Sequence, residues 1–135
     1  MSLLTWDPSY SLNVAELDRQ HQRLFALFNE LYEAMQQGRA PEAIGQVLDA
    51  VVDYTHYHFA CEELYMREHG HAEGDAHRAQ HRQLAAQARE LARRAREGDV
   101  TPATLKFLSG WLLSHILVSD RKLVRDIAGA GVPAA

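Results

Sequence analysis

Cysteine is nearly absent from this chain: of 135 residues only Cys61 carries a thiol, so no internal disulfide can form. A lone thiol agrees with a reducing compartment, and beside Glu62 it reads as a small core filler rather than a metal ligand. Glycine and proline are scarce, at 8 and 4 residues, and there is no internal repeat or low-complexity segment, which excludes a loop-dominated or disordered chain. Strand-type alternation is missing too, so the 47% of apolar residues has to be organised by helices. Charged residues and histidines interrupt every apolar run before it could cross a bilayer, so no membrane span is expected. The opening Met1-Ser2-Leu3-Leu4-Thr5-Trp6-Asp7-Pro8 has neither a basic leader nor an apolar stretch, and a cytoplasmic location is expected. A net charge of -4 gives no reason to expect nucleic acid. The one arginine-rich stretch, Arg89 to Arg96, precedes Gly98, where cations suit the negative end of a helix.

What is present reads as all-α, and the length suits one domain over residues 1–135. After an irregular N-terminal arm, a first helix is expected over roughly 18–37. His21, Leu24, Phe25, Phe28, Leu31, Tyr32 and Met35 share one face there, and Gly38 ends it. A second, roughly 41–68, opens at Pro41 and carries Ile44, Val47, Leu48, Val51, Thr55, His58, Glu62 and Met66 on one stripe. The polar stretch from His69 to Gly74 breaks it. Asp75 can cap a third, roughly 75–97, which turns His77, His81, Leu84, Ala88, Leu91 and Ala95 inward. Thr101-Pro102 opens the last, roughly 101–128, with Leu105, Leu108, Trp111, Leu112, His115, Ile116, Asp120, Leu123 and Ile127 on its stripe. The short connections favour antiparallel neighbours, hence an up-down-up-down four-helix bundle.

Seven polar residues sit on those apolar stripes: His21, His58, Glu62, His77, His81, His115 and Asp120. A helix places residues four apart on the same face, so His58 with Glu62 and His77 with His81 can each aim two ligands at one interior point. Taken singly, such histidines are more often satisfied core residues than ligands. Taken together they would bury five imidazoles and two carboxylates at a cost of several kcal/mol unless something compensates them. A pair of metal cations supplies that compensation. Without thiolates the set suits iron, zinc, manganese or copper, and seven groups exceed what one tetrahedral zinc needs. Glutamate-rich ferritin-like sites are built differently, from Glu-x-x-His motifs. The five-residue separation of His115 and Asp120 is awkward for a regular helix and calls for a local bulge, or for two ligands straddling the metal pair.

The chain resembles the bacterial hemerythrins along nearly its whole length. The likeness is carried by Leu4-Thr5-Trp6, by Asp18-Arg19-Gln20-His21, by Tyr54-Thr55-His56-Tyr57-His58-Phe59 with Glu62-Glu63, by the pair His77 and His81, and by Trp111-Leu112-Leu113-Ser114-His115-Ile116 with Asp120. A departure is His71-Ala72 where the family often has Tyr-Pro. The resemblance implies a non-haem di-iron centre that binds O2 reversibly. One iron would take His77, His81 and His115, and the other His21 and His58. Glu62, Asp120 and an oxo or hydroxo group would bridge them. The two-histidine iron would keep the open position, roofed by Leu24, Phe59, Trp111, Leu112 and Ile116, whose alternative role is ordinary core packing. His56, His69 and His71 are extra histidines, expected to face solvent or to support the ligands.

The preferred reading is an O2-binding protein for transport, storage, delivery or sensing, not an enzyme. NO and other small anions are further ligands such a centre admits. The enzyme reading is a di-iron oxidase, peroxidase or nitric oxide-handling activity at the same centre, and a third is a zinc-loaded structural or hydrolytic bundle. The apolar walls beside the ligands favour release over turnover. Nothing in the sequence requires more than a monomer. Delivery would need an O2-consuming partner, and sensing a signalling one.

Overall fold

The computed structural model describes residues 3–69 and 74–129. Helix α1 spans Ala15–Gln36, α2 Pro41–His69, α3 Gly74–Arg96 and α4 Pro102–His115; a π-helical segment, Ile116–Asp120, joins α4 to α5, Arg121–Gly129. The last three form one continuous rod, so the molecule is an antiparallel four-helix bundle. Gly38 and Gly98 take the left-handed conformation, with φ of 68° and 76°, that closes the ends of α1 and α3. Thr101 caps α4, its hydroxyl accepting from the Thr104 amide at 3.3 Å, with Pro102 in the first turn.

Two starts differ from expectation. Helix α1 begins three residues early, with Asp18 in its first turn, where the carboxylate reaches back to accept from the Leu12 amide at 2.9 Å and the Ser11 hydroxyl at 2.5 Å. Asp75 does not cap α3; it lies within the first turn and pairs with Arg78.

The stripes read from the sequence form the core, in which Leu24, Leu31, Leu48, Leu105 and Ile116 are wholly enclosed. Helix α2 packs along α3 and α1, and α4 along α1. The N-terminal arm is less irregular than expected. A short 3-10 turn, Pro8–Tyr10, is capped by Asp7, and Trp6, Tyr10 and Phe25 meet edge to face. Asn29 holds Leu4 by two hydrogen bonds, of 2.8 Å and 2.7 Å. Cys61 is only half-buried, beside Tyr57, so it is less of a core filler than expected.

The arginine-rich end of α3 is a neutralised surface. Arg93 pairs with Glu90 and Glu97, Arg94 with Asp99, and Arg96 reaches across to Glu42 and Asp49 on α2. Among the described residues no helix is long and apolar enough to cross a membrane.

Candidate metal centre

All seven candidate ligands are buried and converge midway between the helices. Helix α1 supplies His21, α2 His58 and Glu62, α3 His77 and His81, and the fourth rod His115 and Asp120. On a regular helix His115 and Asp120 would lie about 140° apart around the axis, at 3.6 residues per turn. The π-helical segment between them bonds i to i+5 and so returns Asp120 to the face of His115; His115 Nε2 lies 3.1 Å from Asp120 Oδ1. Of the two ways to reconcile this spacing, the local bulge is the one present.

Two groups of donors form, each with its ligand atoms within 4.8 Å of one another: Glu62, His77, His81, His115 and Asp120, and His21, His58, Glu62 and Asp120. The two carboxylates belong to both. In the first group the Nε2 atom of His115 lies 3.2 Å from those of both His77 and His81. In the second, His21 Nε2 is 3.0 Å from Asp120 Oδ2 and His58 Nε2 is 3.5 Å from Glu62 Oε1.

The protonation pattern shows what these donors lack. His58 Nδ1 donates to Gln20 Oε1 at 2.6 Å, His115 Nδ1 to Gln80 Oε1 at 2.9 Å, and His81 Nδ1 to Glu63 Oε2 at 3.1 Å. Those oxygens can only accept, so each ring carries its proton outward and aims the Nε2 lone pair at the centre. His81 and His115 thus face each other, lone pair to lone pair, at 3.2 Å. That contact is repulsive unless a proton or a metal cation stands between them, and donors about 2.1 Å from a shared metal ion sit roughly 3.0–3.4 Å apart. In the second group His58 Nε2 and both Glu62 oxygens are buried without a hydrogen-bond partner. Orphaned buried atoms of this kind are costly, and they point inward together. The donor set fits two cations.

Electrostatics agrees. Burial, then the neighbouring Asp120, pushes Glu62 up to about 7, while burial presses His58 down to about 4. Burial and the adjacent His115 and His77 press His81 down to about 3. For Asp120 burial is outweighed by His115, His21 and His77, which hold it well below the usual carboxylate range. On His21 and His115 burial is likewise outweighed, chiefly by Asp120, and both are raised. In metal-free protein these shifts oppose one another. His58 and His81 give stability that is complete above 6.5 and lost as pH falls through about 4 and about 3. Glu62 gives stability complete below 4.5 and lost as pH rises through about 7, joined on that side by His21 and His115. The melting temperature of metal-free protein is therefore expected to peak near pH 6.5, the unshifted histidine value, and to fall on both sides. Melts across the pH range check this, and a midpoint rising steadily through neutrality would contradict it.

Of the five expected roof residues, Leu24, Leu112 and Ile116 are fully enclosed. The two aromatic ones also touch rings of the three-histidine group, Phe59 while keeping His58 at 5.7 Å between ring centres. Phe59 stacks on His81 at 3.8 Å between ring centres, and Trp111 on His115 at 5.5 Å. Trp111 is one helical turn before His115 and so lies against that ring, while Phe59, one residue past His58, is turned toward α3. His56 is on the surface, where its Nε2 accepts from Arg89 at 3.0 Å. The His69 side chain and His71 lie outside the described residues. Gln20, Glu63 and Gln80, which orient the ligand rings, were not singled out from the sequence as supports. Each adjoins a ligand in the chain yet serves a ligand on the next helix, a relation that only the packing reveals.

The family model of the Hemerythrin HHE cation binding domain matches residues 12–127. A bacteriohemerythrin of Methylococcus capsulatus is 36% identical over 124 residues, covering 90% of this chain and 94% of that one. One from Stenotrophomonas maltophilia is 35% identical over 122 residues, covering 90% and 79%. A crystal structure of wild-type hemerythrin superposes with a TM-score of 0.82 at 33% identity, over 89% of this chain and 94% of that one. Since the match takes in both donor groups and all the helices that carry them, the chain belongs to the hemerythrin family.

Proposed function

We propose that this protein binds O2 reversibly at a non-haem di-iron centre and acts as an oxygen-binding protein rather than an enzyme. The observation that carries the reading is the pair of buried donor groups sharing two carboxylates, inside a chain of this family. In this reading His77, His81 and His115 would hold one iron and His21 and His58 the other, with Glu62 and Asp120, which belong to both donor groups, available to both. Bound there, a pair of ferrous ions would supply the redox chemistry of reversible O2 binding.

The chain's own residues do the rest. Gln20, Gln80 and Glu63 keep three imidazoles in the ligating tautomer, so that no ring has to turn or lose a proton when O2 arrives. The two-histidine side, with one imidazole fewer, is where O2 has room. Leu24, Leu112 and Ile116 roof it, and an apolar roof keeps water and proton donors from the bound ligand, favouring release over turnover. Carriage, storage, delivery and sensing all use this chemistry.

The test is the visible spectrum of anaerobically reduced protein before and after air, with iron analysis. Two irons per chain and a charge-transfer band that appears with O2 and fades on degassing are expected. Stoichiometric zinc, or a spectrum indifferent to O2, would refute the reading. Continuous O2 consumption with a reductant and release of product would replace it with an oxidase.

A further inference from the structure

The two halves of the centre are supported unequally from behind. In the three-histidine half, His81 donates from Nδ1 to the carboxylate of Glu63 at 3.1 Å, and Phe59 stacks on the same ring. His115 donates to Gln80, whose oxygen is also fixed by the Ser119 hydroxyl at 2.7 Å. In the two-histidine half, His58 has only the neutral amide of Gln20, and His21 Nδ1 is buried with no hydrogen-bond partner. A carboxylate acceptor makes a charge-assisted bond and pushes electron density into the imidazole, which an amide does far less.

We infer that Glu63 is a positioning residue whose charge makes the three-histidine subsite the tighter of the two, so that bound cations leave the protein in order, first from the His21 and His58 side. The inference rests on the two-metal reading above. Glu63 is well placed for this role because it is not part of the core. It lines a cleft of about 380 Å3 together with His56, Arg82 and Arg89, and its side chain is 32% exposed. Replacing it by glutamine keeps the size and an accepting oxygen and removes only the charge, so the bundle itself should be undisturbed.

The experiment challenges fully iron-loaded, reduced protein with a coloured ferrous chelator under anaerobic conditions. The wild type is expected to release iron in two phases of equal amplitude. In Glu63→Gln the slow phase should quicken about tenfold to hundredfold, the usual cost of losing such a support, while the fast phase changes by less than about twofold. Glu63→Asp keeps the charge and should release nearer the wild-type rate. Gln20→Ala should show the reverse pattern, with the fast phase quickened. A single phase in the wild type overturns the inference. So does an unchanged slow phase in Glu63→Gln, or an equal quickening of both phases, which marks general loosening. Equal behaviour of Glu63→Asp and Glu63→Gln would show that charge is not the cause. Wild-type iron content, determined before chelator is added, separates these outcomes from failure of the two-metal reading, which would show as fewer than two irons per chain.

Discussion

Glu62→Ala is expected to strip iron from the protein and to lower its melting temperature by about 10 °C or more, the equivalent of roughly 3–5 kcal/mol in a chain of this size. Glu62 is fully buried, its oxygens have no hydrogen-bond partner, and it belongs to both donor groups. Removing it therefore damages both subsites at once. The histidines left behind include His81 and His115, whose inward lone pairs oppose each other at 3.2 Å, so the metal-poor core must protonate or distort. Binding free energy at such a site is also folding free energy, which couples the two losses. Glu62→Gln separates charge from volume: it leaves no cavity, yet should still lose iron. Asp120→Ala should behave like Glu62→Ala, since Asp120 also belongs to both groups. His56→Ala, on the surface against Arg89, is the control and should load fully. Iron analysis and thermal melts of the four variants check this, and full loading of Glu62→Ala would remove its bridging role.

The ligand set was legible because it obeys helical spacing. His58 with Glu62 and His77 with His81 are one turn apart, and the remaining three lie on stripes otherwise made of aliphatic and aromatic residues. The pair His115 and Asp120 broke that rule, which left a local bulge or a straddling pair of ligands open, and the π-helical segment is the bulge. What could not be read was everything that depends on a neighbouring helix. Gln20 adjoins His21 in the chain, but it is rotated about 100° from it around α1 and so meets His58 on α2. Glu63 passes to His81 on α3, and Gln80 to His115 on α4, by the same geometry. The stacking of Trp111 was hidden for a related reason. Chain position placed it one turn from His115 but not on which side of that ring it would stack. Asp18 likewise looks like a helix-opening residue, and only the fold of the arm shows it bound to Ser11 and Leu12.

Substitution of the pocket roof is expected to shorten the life of the oxygenated form while leaving iron in place. Leu112 and Ile116 are buried in the same cluster as Leu24, at 2%, 0% and 0% exposure, so none of them meets solvent in the folded protein. Leu112→Ala is a blunt probe, because a cavity there costs about 2–5 kcal/mol and admits water at the same time. The sharper comparison is Ile116→Val against Ile116→Thr. The two replacements have nearly the same shape, and each removes a methyl-sized volume, worth about 0.5–1.5 kcal/mol for the valine. They differ in one hydroxyl, which in threonine brings a proton donor into an apolar wall. If the roof works by excluding donors, autoxidation to inactive ferric protein should be little changed in Ile116→Val. In Ile116→Thr it should quicken about tenfold, a barrier lowered by roughly 1.4 kcal/mol. If it works by filling space, the two variants should quicken alike, and Leu112→Ala should exceed both. Stopped-flow oxygenation, the decay of the oxygenated band and iron content measured on the same samples decide between these outcomes. Unchanged decay in all three variants with iron retained would reduce Leu112 and Ile116 to core packing, and the preference for release over turnover would then have to come from another part of the centre.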